Sequence, residues 1–577
     1  MISYRINPYI SFIESRLFPE SVQYAVFHRL TGDLIEPSET VRSFLRATKP
    51  GQSILYGELQ RMREAGTEIN GLIHHEFLIT EDHDPLSRVV DEYVVRPIQN
   101  PALVYRSKSG DWVLVQTPME QTVYSRRPDE LPPVIEEKLS PMAAHIFLLA
   151  DGTKTLRDIF STLDRNGSVD LLNHLEFRAG IDFLTAQQRQ LVKFTSRPED
   201  LDQPFTSVNI VPRNLYHSQR WNDPLSPHPT KTIVDFHLKG IEDASWEFDQ
   251  IEPTVNHSFR FPHEALGGLD YGSRFCVSSL KSEVLPLLAQ RRELNVLEVG
   301  GGTGSFARSF IQQAMKLKES GEIIELKYHI LDLSPTLIAN QRRVLSSLLP
   351  ESQHFQQDAT EFDLPAHKFD LIVSNEVIAD FPVASVQRNP AGDRGDGEEW
   401  FGEGAHYLQK YDLSVIGAPD SFLINAGAFH FLERAWKHLR SGGTLIVSEY
   451  GAEKRYPARS FHLNHDEFTI HFGHLSSCAT KIGFDCKLIS LSDFLELDDN
   501  VPVLSGREEH ILCLNHVLTD YGISLPFAVI SKSDFEQQCQ SVVQQIGLTG
   551  YSFSPLRNGY HFGPALKDFF VLIMNKP

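Results

Sequence analysis

The sequence predicts an α/β protein with a doubly wound, mostly parallel sheet in its C-terminal half and smaller α+β modules in front. At 577 residues the chain is too long to fold around one ordinary hydrophobic core, which implies about two to four domains. From Glu293 onward, strand-like and helix-like patterns alternate, as in a doubly wound sheet. The first 200 residues instead combine short strand patterns with short amphipathic helices.

The composition is that of a globular protein with an acidic surface. Hydrophobic residues make up 41% and charged residues 22%, and the formal net charge is −21. This charge argues against nucleic acid and anionic membranes as general partners. It favours a cationic partner, such as a peptide that carries Arg or Lys, although the charge could also serve solubility alone.

The cysteines and the start of the chain favour a cytoplasmic protein. The five cysteines are scattered and include no C-x-x-C motif, which predicts a reducing compartment rather than a disulfide framework or a zinc site. The first residues lack the basic and apolar regions of a signal peptide, and no apolar stretch has the length of a membrane span. We therefore expect no membrane partner and no metal.

Residues 1–100 and 101–200 each predict a small winged-helix-like module, as a degenerate repeat would. In the second module, Leu139–Ile159 resembles the PqqD-like fold, a peptide-recognition element in peptide natural-product biosynthesis. The resemblance implies that a leader peptide adds as a strand to the small sheet. Packing or homodimerisation is the alternative role. DNA binding is disfavoured because the helix around 173–179 is not basic.

The remaining chain divides into a connector and a large domain. Residues 201–270 are rich in proline, histidine and aromatic residues, which predicts an ordered connector or a cap over the active site. Residues 271–577 predict the doubly wound domain, with insertions near 386–424 and 493–565.

A glycine stretch is the most informative motif of the large domain. Apolar residues up to Val299 predict a buried strand, glycines follow without an interval, and helical spacing resumes at Phe306. A P-loop would need a Lys-Ser/Thr pair after the last glycine, and a dinucleotide motif would need glycine where Ser305 stands. An acid followed by alternating glycines fits instead, and it is formed by Glu298, Gly300, Gly302 and Gly304.

This pattern resembles the first motif of the class I S-adenosylmethionine (SAM) methyltransferases, which have a Rossmann-like sheet of seven strands. The resemblance implies that Glu298 faces the cationic amino-acid end of SAM. Asp332, at the end of the second predicted strand, would accept hydrogen bonds from the ribose hydroxyls. Asp358, in the predicted third strand Phe355–Asp358, and the backbone of Ala359 would bind the adenine edge.

The stretch after the fourth predicted strand resembles one methyltransferase family. Ser374–Pro382 is similar to the Asn-Glu-x-x-x-Ala/Asp-x-Pro motif of the MidA-like methyltransferases, the family of the mitochondrial complex I assembly factor that methylates a protein arginine. Tyr328–Leu337 with Gln341, Val447–Gly451 and Phe468–Phe472 match other motifs of the family, the last without one acidic residue. The resemblance covers residues 271–577.

The resemblance also suggests how an acceptor is bound. Glu376 would hold a guanidinium through both carboxylate oxygens, while Asn375 would orient the acceptor or the SAM amino group. Asp380 is either a second carboxylate of the site or an acid at a helix N-terminus. His471 is either a base or a structural hydrogen-bonding group.

These observations predict a SAM-dependent methyltransferase that acts on a peptide or protein, on an arginine nitrogen, with the front modules recruiting the polypeptide. A ribosomally made precursor peptide would be the substrate if those modules bind a leader. The alternatives are an O-methyltransferase for a carboxylate or small metabolite, and a SAM-binding assembly protein without turnover.

Overall fold

The structure is a computed structural model. It describes the following ranges: 3–18, 21–30, 34–35, 38–48, 53–64, 69–74, 76–87, 89–97, 102–116, 134–163, 171–186, 191–195, 254–281, 283–286, 293–319, 325–348, 353–364, 368–388, 400–462 and 465–577. Most of the predicted connector, and the predicted strand near 121–124, lie outside these ranges.

The first part of the described chain contains short strands and helices. Its strands are β1 (Ser3–Ile6), β2 (Ile10–Phe18), β3 (Ser21–His28), β4 (Leu34–Ile35), β5 (Ile54–Leu55), β6 (Leu78–Thr80), β7 (Val94–Pro97), β8 (Ala102–Arg106), β9 (Trp112–Gln116), β10 (Ile135–Lys138) and β11 (Val192–Thr195). Its helices are α1 (Glu39–Ala47), α2 (Tyr56–Glu64), α3 (Ile69–His74), α4 (Val89–Glu92), α5 (Pro141–Leu149), α6 (Leu156–Leu163) and α7 (Leu175–Leu184).

The second part begins at residue 254. Its strands are β12 (Glu293–Val299), β13 (Glu325–Asp332), β14 (Gln353–Gln356), β15 (Phe369–Asn375), β16 (Ala384–Arg388), β17 (Trp400–Phe401), β18 (Ser421–Ile424), β19 (Leu439–Ala452), β20 (Arg459–His462), β21 (His465–Phe468), β22 (Ile470–His471), β23 (Asp485–Ser490), β24 (Pro502–Leu504), β25 (Phe553–Pro555) and β26 (Phe569–Asn575). Its helices are α8 (Val255–Ser258), α9 (Tyr271–Ser279), α10 (Ser305–Glu319), α11 (Pro335–Leu345), α12 (Ala405–Lys410), α13 (Ala426–His438), α14 (Phe472–Ile482), α15 (Leu491–Leu495), α16 (Glu508–Leu518) and α17 (Lys532–Ile546).

The chain divides into two compact units. The first comprises Met1–Gln219, Leu504–Pro526 and Ser533–Ser554. The second comprises Arg220–Val503, Phe527–Lys532 and Pro555–Pro577.

The second unit is built on the predicted doubly wound sheet. The strands lie in the order β14-β13-β12-β15-β19-β26-β23, and β22 pairs with β19 off this path. Neighbours from β14 to β19 are parallel, while β26 runs antiparallel to β19 and β23. Apolar side chains alternate between two cores, one beneath α9 and α10 and the other beneath α13 and α14. The predicted Rossmann-like methyltransferase sheet is thereby confirmed.

The first unit contains an apolar core within residues 6–78 and a larger one that combines residues 86–194 with Tyr9 and Leu30. Strand β7 pairs with β11, and Tyr9 packs in the same apolar cluster as Phe194. The Tyr9 hydroxyl also donates a hydrogen bond to Asp182 at 2.5 Å. The larger core therefore crosses the division predicted near residue 100, because residues 86–95 pack with residues 102–194 and β7 pairs with β11.

Part of the predicted C-terminal insertion belongs to the first unit. The described sheet β10-β9-β8 has β8 at one edge, and Val104 and Thr549 exchange backbone hydrogen bonds there at 2.8 and 3.0 Å. Helix α16 packs on the same sheet, and His516 lies 3.1 Å from the Glu136 carboxylate. Residues 493–565 were predicted as an insertion of the large domain. In the structure, much of this segment instead belongs to the first unit, where it pairs with β8.

Candidate active site

The glycine loop connects β12 to α10 at the carboxyl end of the central strand. The φ angles of Gly300, Gly302 and Gly304 are +71°, +49° and +84°, a region that L side chains avoid. A Cβ on Gly300 would lie 2.4 Å from a methyl group of Val377. A Cβ on Gly302 would meet no atom within 4 Å, so the backbone there borders open space. The loop can therefore place its amides next to a ligand.

Glu298 is a buried carboxyl group immediately before this loop. It is 3% exposed and accepts a hydrogen bond from the Tyr328 hydroxyl at 2.8 Å. Burial raises its pKa to about 8, and the charge of Asp332 contributes to the rise. A buried acid in this state gains from a nearby cation, so it fits the positively charged amino-acid end of SAM.

Asp332 ends β13 and is linked to the glycine loop through Gln341. Its carboxylate accepts from the Ser334 amide at 2.9 Å and from Gln341 Nε2 at 2.7 Å. Gln341 Nε2 also contacts the Gly302 carbonyl oxygen at 3.0 Å. Burial raises the pKa of Asp332 to about 6.

The side-chain oxygen of Gln341 is unsatisfied. Gln341 Oε1 is buried and has no hydrogen-bond partner within the described residues. Such an atom costs about 1–3 kcal/mol when it is left unsatisfied. Its burial separates it from the open space at Gly302, so the fit to the cofactor rests on that backbone and on the acids Glu298 and Asp332.

Asp358 lies two residues beyond β14, because the strand ends at Gln356 rather than at the predicted Asp358. The reason is a side-chain turn: Asp358 Oδ1 accepts from both the amide and the hydroxyl of Thr360 at 2.7 Å. Ala359 packs against the core. The adenine contact assigned to these two residues stays a prediction.

Asn375 and Glu376 form a strained turn at the end of β15. Glu376 has a φ of +54°, which costs a residue with a side chain about 1–2 kcal/mol. Its amide donates to the Ser448 carbonyl at 2.9 Å. Asn375 Oδ1 accepts from the Tyr271 hydroxyl at 2.6 Å, and Asn375 Nδ2 lies 3.3 Å from Glu376 Oε1. The strain therefore lies at a residue that the sequence assigned to acceptor binding.

A second carboxyl group, Glu449, was not among the predicted site residues. It is 3% exposed in β19, the strand next to β15, and Asn375 pairs with Ser448 in the register of the two strands. Its oxygens accept from the Ala379 amide at 3.2 Å and the Tyr450 amide at 2.9 Å. The available signal was an acid just before the Tyr-Gly pair in the fifth-strand motif.

Glu449 lies in an electrostatic cluster with two other carboxylates. Burial raises the pKa of Glu449 well above its usual range, and the negative charges of Glu376 and Glu467 raise it further. The three side chains come from β19, from the turn after β15 and from β21. This carboxylate cluster, Glu376, Glu449 and Glu467, would be stabilised by a cation.

Asp380 ends a short 3-10 turn, Ile378–Asp380, and its amide donates to the Val377 carbonyl at 3.2 Å. In the same turn, the Ala379 amide donates to the Glu449 carboxylate. The choice between the two predicted roles of Asp380 stays open.

His471 is a buried residue that caps α14. Its Nδ1 accepts from the His474 amide at 3.1 Å, and the two imidazole rings stack with centroids 3.8 Å apart. Burial, and to a smaller extent the neighbouring imidazole of His474, lower the pKa of His471 to about 4. Taking up a proton on Nδ1 would break the cap. The geometry therefore favours the structural role over that of a base.

The described residues form neither a metal centre nor a membrane-spanning helix. No group of three or more His, Cys, Asp or Glu side chains there could hold a metal ion. None of the helices in those ranges combines the length and the apolar composition needed to cross a membrane.

Residues 281–466 match the model of a family described as "Putative S-adenosyl-L-methionine-dependent methyltransferase". This segment lies within the half of the chain that resembles the MidA-like methyltransferases. No curated protein matches the sequence.

Several solved structures show weak similarity. One is a Burkholderia thailandensis protein with S-adenosyl-homocysteine bound, at 17% identity over 55% of this chain and 82% of that one, with a TM-score of 0.31. A SAM-dependent methyltransferase from Clostridium acetobutylicum is 12% identical over 39% of this chain and 85% of that one, with a TM-score of 0.24. Phosphoethanolamine N-methyltransferase 2 from Haemonchus contortus is 14% identical over 59% of this chain and 57% of that one, with a TM-score of 0.29. Similarity at this level says nothing about the substrate of this chain. With the strand order and the glycine loop in place, the family match identifies the protein as a SAM-dependent methyltransferase.

Proposed function

We propose that this methyltransferase modifies a guanidinium nitrogen of an arginine in a peptide or protein. The observation that carries the proposal is the carboxylate cluster at the carboxyl ends of the strands beside the glycine loop. Glu376 directly follows β15, and Glu449 lies in the neighbouring parallel strand β19, where Ser448 pairs with Asn375.

The cofactor side of the site is formed by the glycine loop and the acids beside it. Glu298 and Asp332, with Gly302 between them in the chain, would hold SAM. When bound, SAM supplies an electrophilic methyl group on a sulfonium. The contribution of the chain is to hold donor and acceptor in line and to keep water out.

The acceptor side is rich in carboxyl groups, and Glu449 is withdrawn from water. Glu449 is 3% exposed, and its pKa is raised by burial and by two neighbouring carboxylates. A guanidinium would favour the ionised form of these acids and bind a carboxylate through two parallel N–H donors. By the same reasoning, a carboxylate acceptor would be repelled, which counts against methyl-ester formation.

An arginine nitrogen must also lose a proton during methylation. Holding the other two guanidinium nitrogens on Glu376 keeps the positive charge there and leaves the third nitrogen more nucleophilic. The released proton passes to a carboxylate of the cluster or to water, so that atoms and charge balance.

The front unit would recruit the polypeptide. In the described part of its sheet, β8 pairs with residue Thr549 of the same chain, which leaves β10 as the edge for an added strand. Strand β10 reads Ile-Glu-Glu-Lys, and its two acids suit a cationic peptide. A precursor peptide bound through its leader is one such ligand.

The test uses labelled SAM and peptides that differ only in one residue, Arg or Lys, with the labelled atom located by mass spectrometry. We expect label on the arginine nitrogen. Glu376→Gln should reduce transfer at least about a hundredfold with little change in SAM affinity, while Glu361→Gln, an exposed acid at the same edge of the sheet, should change neither. Label on an oxygen, or full activity of Glu376→Gln, would refute the proposal.

A further inference from the structure

A short segment at the start of the methyltransferase unit lies against both halves of the site. This segment, residues 254–258, is called the strap. Asn256 Nδ2 donates to Ser305 Oγ at 2.9 Å, at the first residue after the glycine loop. The Thr254 hydroxyl accepts from the His257 amide at 3.0 Å and caps the single turn of α8.

The strap also contacts the carboxylate assigned to acceptor binding. The Val255 amide lies 3.1 Å from Glu376 Oε1 and 3.1 Å from Glu376 Oε2. Because the distances are equal, the N–H is shared between the two oxygens, the same pair that a guanidinium binds with its two parallel N–H donors. A bidentate acceptor and the Val255 amide therefore cannot occupy Glu376 together.

We propose that the Val255 amide is a stand-in for the acceptor and occupies Glu376 until a guanidinium displaces it. The inference rests on the proposed function. A guanidinium brings two charge-assisted hydrogen bonds in a rigid fork, so it can displace a neutral amide. An ammonium is a compact, strongly hydrated charge that can bind one carboxylate oxygen beside the amide. Displacement of the strap is therefore specific to a two-pronged cation.

Proline substitution removes the competing N–H and leaves the strap in place. Val255 is the first residue of α8, where proline is favoured because its missing N–H has no partner within the helix. Thr254 has φ −61° and ψ 165°, the extended conformation that a residue before proline adopts. Val255→Ala is the matched control, since it keeps the amide and removes only methyl groups from a fully buried side chain.

The first measurement is the affinity of the full-length protein for methylguanidine and for methylamine, with S-adenosyl-homocysteine present. We expect Val255→Pro to bind methylguanidine about two- to tenfold more tightly than wild type, as the loss of one competing hydrogen bond implies. Its preference for methylguanidine over methylamine should rise, because methylamine leaves the amide in place and gains nothing from its removal, while Val255→Ala should keep the wild-type preference. Unchanged affinities for both cations in Val255→Pro would overturn the inference.

The second measurement needs no variant at residue 255. Methylguanidine should speed hydrogen exchange of the strap amides in the wild-type protein, because the cation displaces Val255 from Glu376, and methylamine at equal concentration should not. Methylguanidine binding without faster exchange would overturn the inference and leave the proposed function standing. Absence of binding by either cation to all three proteins would overturn both.

Discussion

The hydroxyl of Tyr271 donates a hydrogen bond of 2.6 Å to Asn375 Oδ1. This bond fixes the side-chain amide of Asn375, so that its Nδ2 lies on the side of Glu376. The Tyr271 ring is fully buried and packs against Phe275 and Phe306. Helix α9 thus sets the orientation of a residue at the end of β15, although the two are 104 positions apart.

We expect the Tyr271→Phe variant to fold and to transfer methyl groups more slowly than wild type. Phenylalanine keeps the ring packing but leaves a buried acceptor on Asn375 unsatisfied, at a cost of about 1–3 kcal/mol. Steady-state kinetics should show kcat reduced about tenfold or more, with a smaller change in KM for SAM. Tyr411→Phe removes a comparable 2.9 Å bond to Glu433 elsewhere in the unit and should leave kcat unchanged. Equal effects of the two substitutions would contradict the positioning role.

Glu298 predicts an unusual dependence of stability on pH in the cofactor-free protein. Its pKa is raised to about 8 by burial, against about 4.3 in an unfolded chain. The folded state therefore holds a proton that the unfolded state releases. The protonated group makes its full contribution to the free energy of unfolding below pH 4. This contribution is lost as the pH rises towards 8, at about 1.4 kcal/mol per pH unit.

Glu298→Gln should accordingly become more stable relative to wild type between pH 6 and pH 8. Urea titrations at the two pH values measure the difference. Glu293→Gln serves as the control, because that acid lies half-exposed at the start of the same strand in contact with Lys327, and its stability difference from wild type should be equal at the two pH values. The Glu298→Gln variant should also bind S-adenosyl-homocysteine more weakly at pH 8, because the ammonium group of that ligand loses an ionised partner. A constant stability difference across this range would contradict the prediction.

The sequence predicts what short-range patterns encode. Strand and helix periodicity defined the central sheet, and the glycine loop with Asp332 followed from residues that lie next to strand ends. Glu449 escaped prediction because it reaches Glu376 only through the pairing of β15 with β19. The Val255 contact, 121 positions from Glu376, has no local pattern at all. His471 was ambiguous because a capping imidazole and a catalytic one look alike in sequence.

His510 in α16 predicts acid sensitivity of the first unit. The side chain is 4% exposed, and neither ring nitrogen has a hydrogen-bond partner among the described residues. Burial lowers its pKa to about 4, while the charge of Glu509 acts in the opposite direction. In the unfolded chain this histidine binds a proton near pH 6.5. Above that pH the free energy of unfolding is unaffected by His510, and at lower pH it decreases by about 1.4 kcal/mol per pH unit.

His510→Leu removes this titration. We expect its stability relative to wild type to increase by about 2 kcal/mol between pH 7.5 and pH 5, as measured by the unfolding transition of the first unit. His516→Leu is the control, since that histidine is exposed and pairs with Glu136. A stability difference that does not change with pH would exclude His510 as the group responsible.

The pairing of β8 with residue 549 predicts that the first unit depends on the C-terminal segment. Gly550 has a φ of +95°, and a Cβ there would lie 2.1 Å from the Ala102 carbonyl oxygen. Gly550→Ala must therefore distort the edge of the sheet and should destabilise the first unit by more than about 1 kcal/mol. Gly547 also has a positive φ, but a Cβ there would meet no atom within 4 Å. Gly547→Ala therefore measures backbone strain without the clash and should destabilise the first unit less. Calorimetry should show the loss in the transition of the first unit, with S-adenosyl-homocysteine affinity unchanged. Equal losses in the two variants would indicate that the close approach to β8 contributes nothing to the stability of that unit.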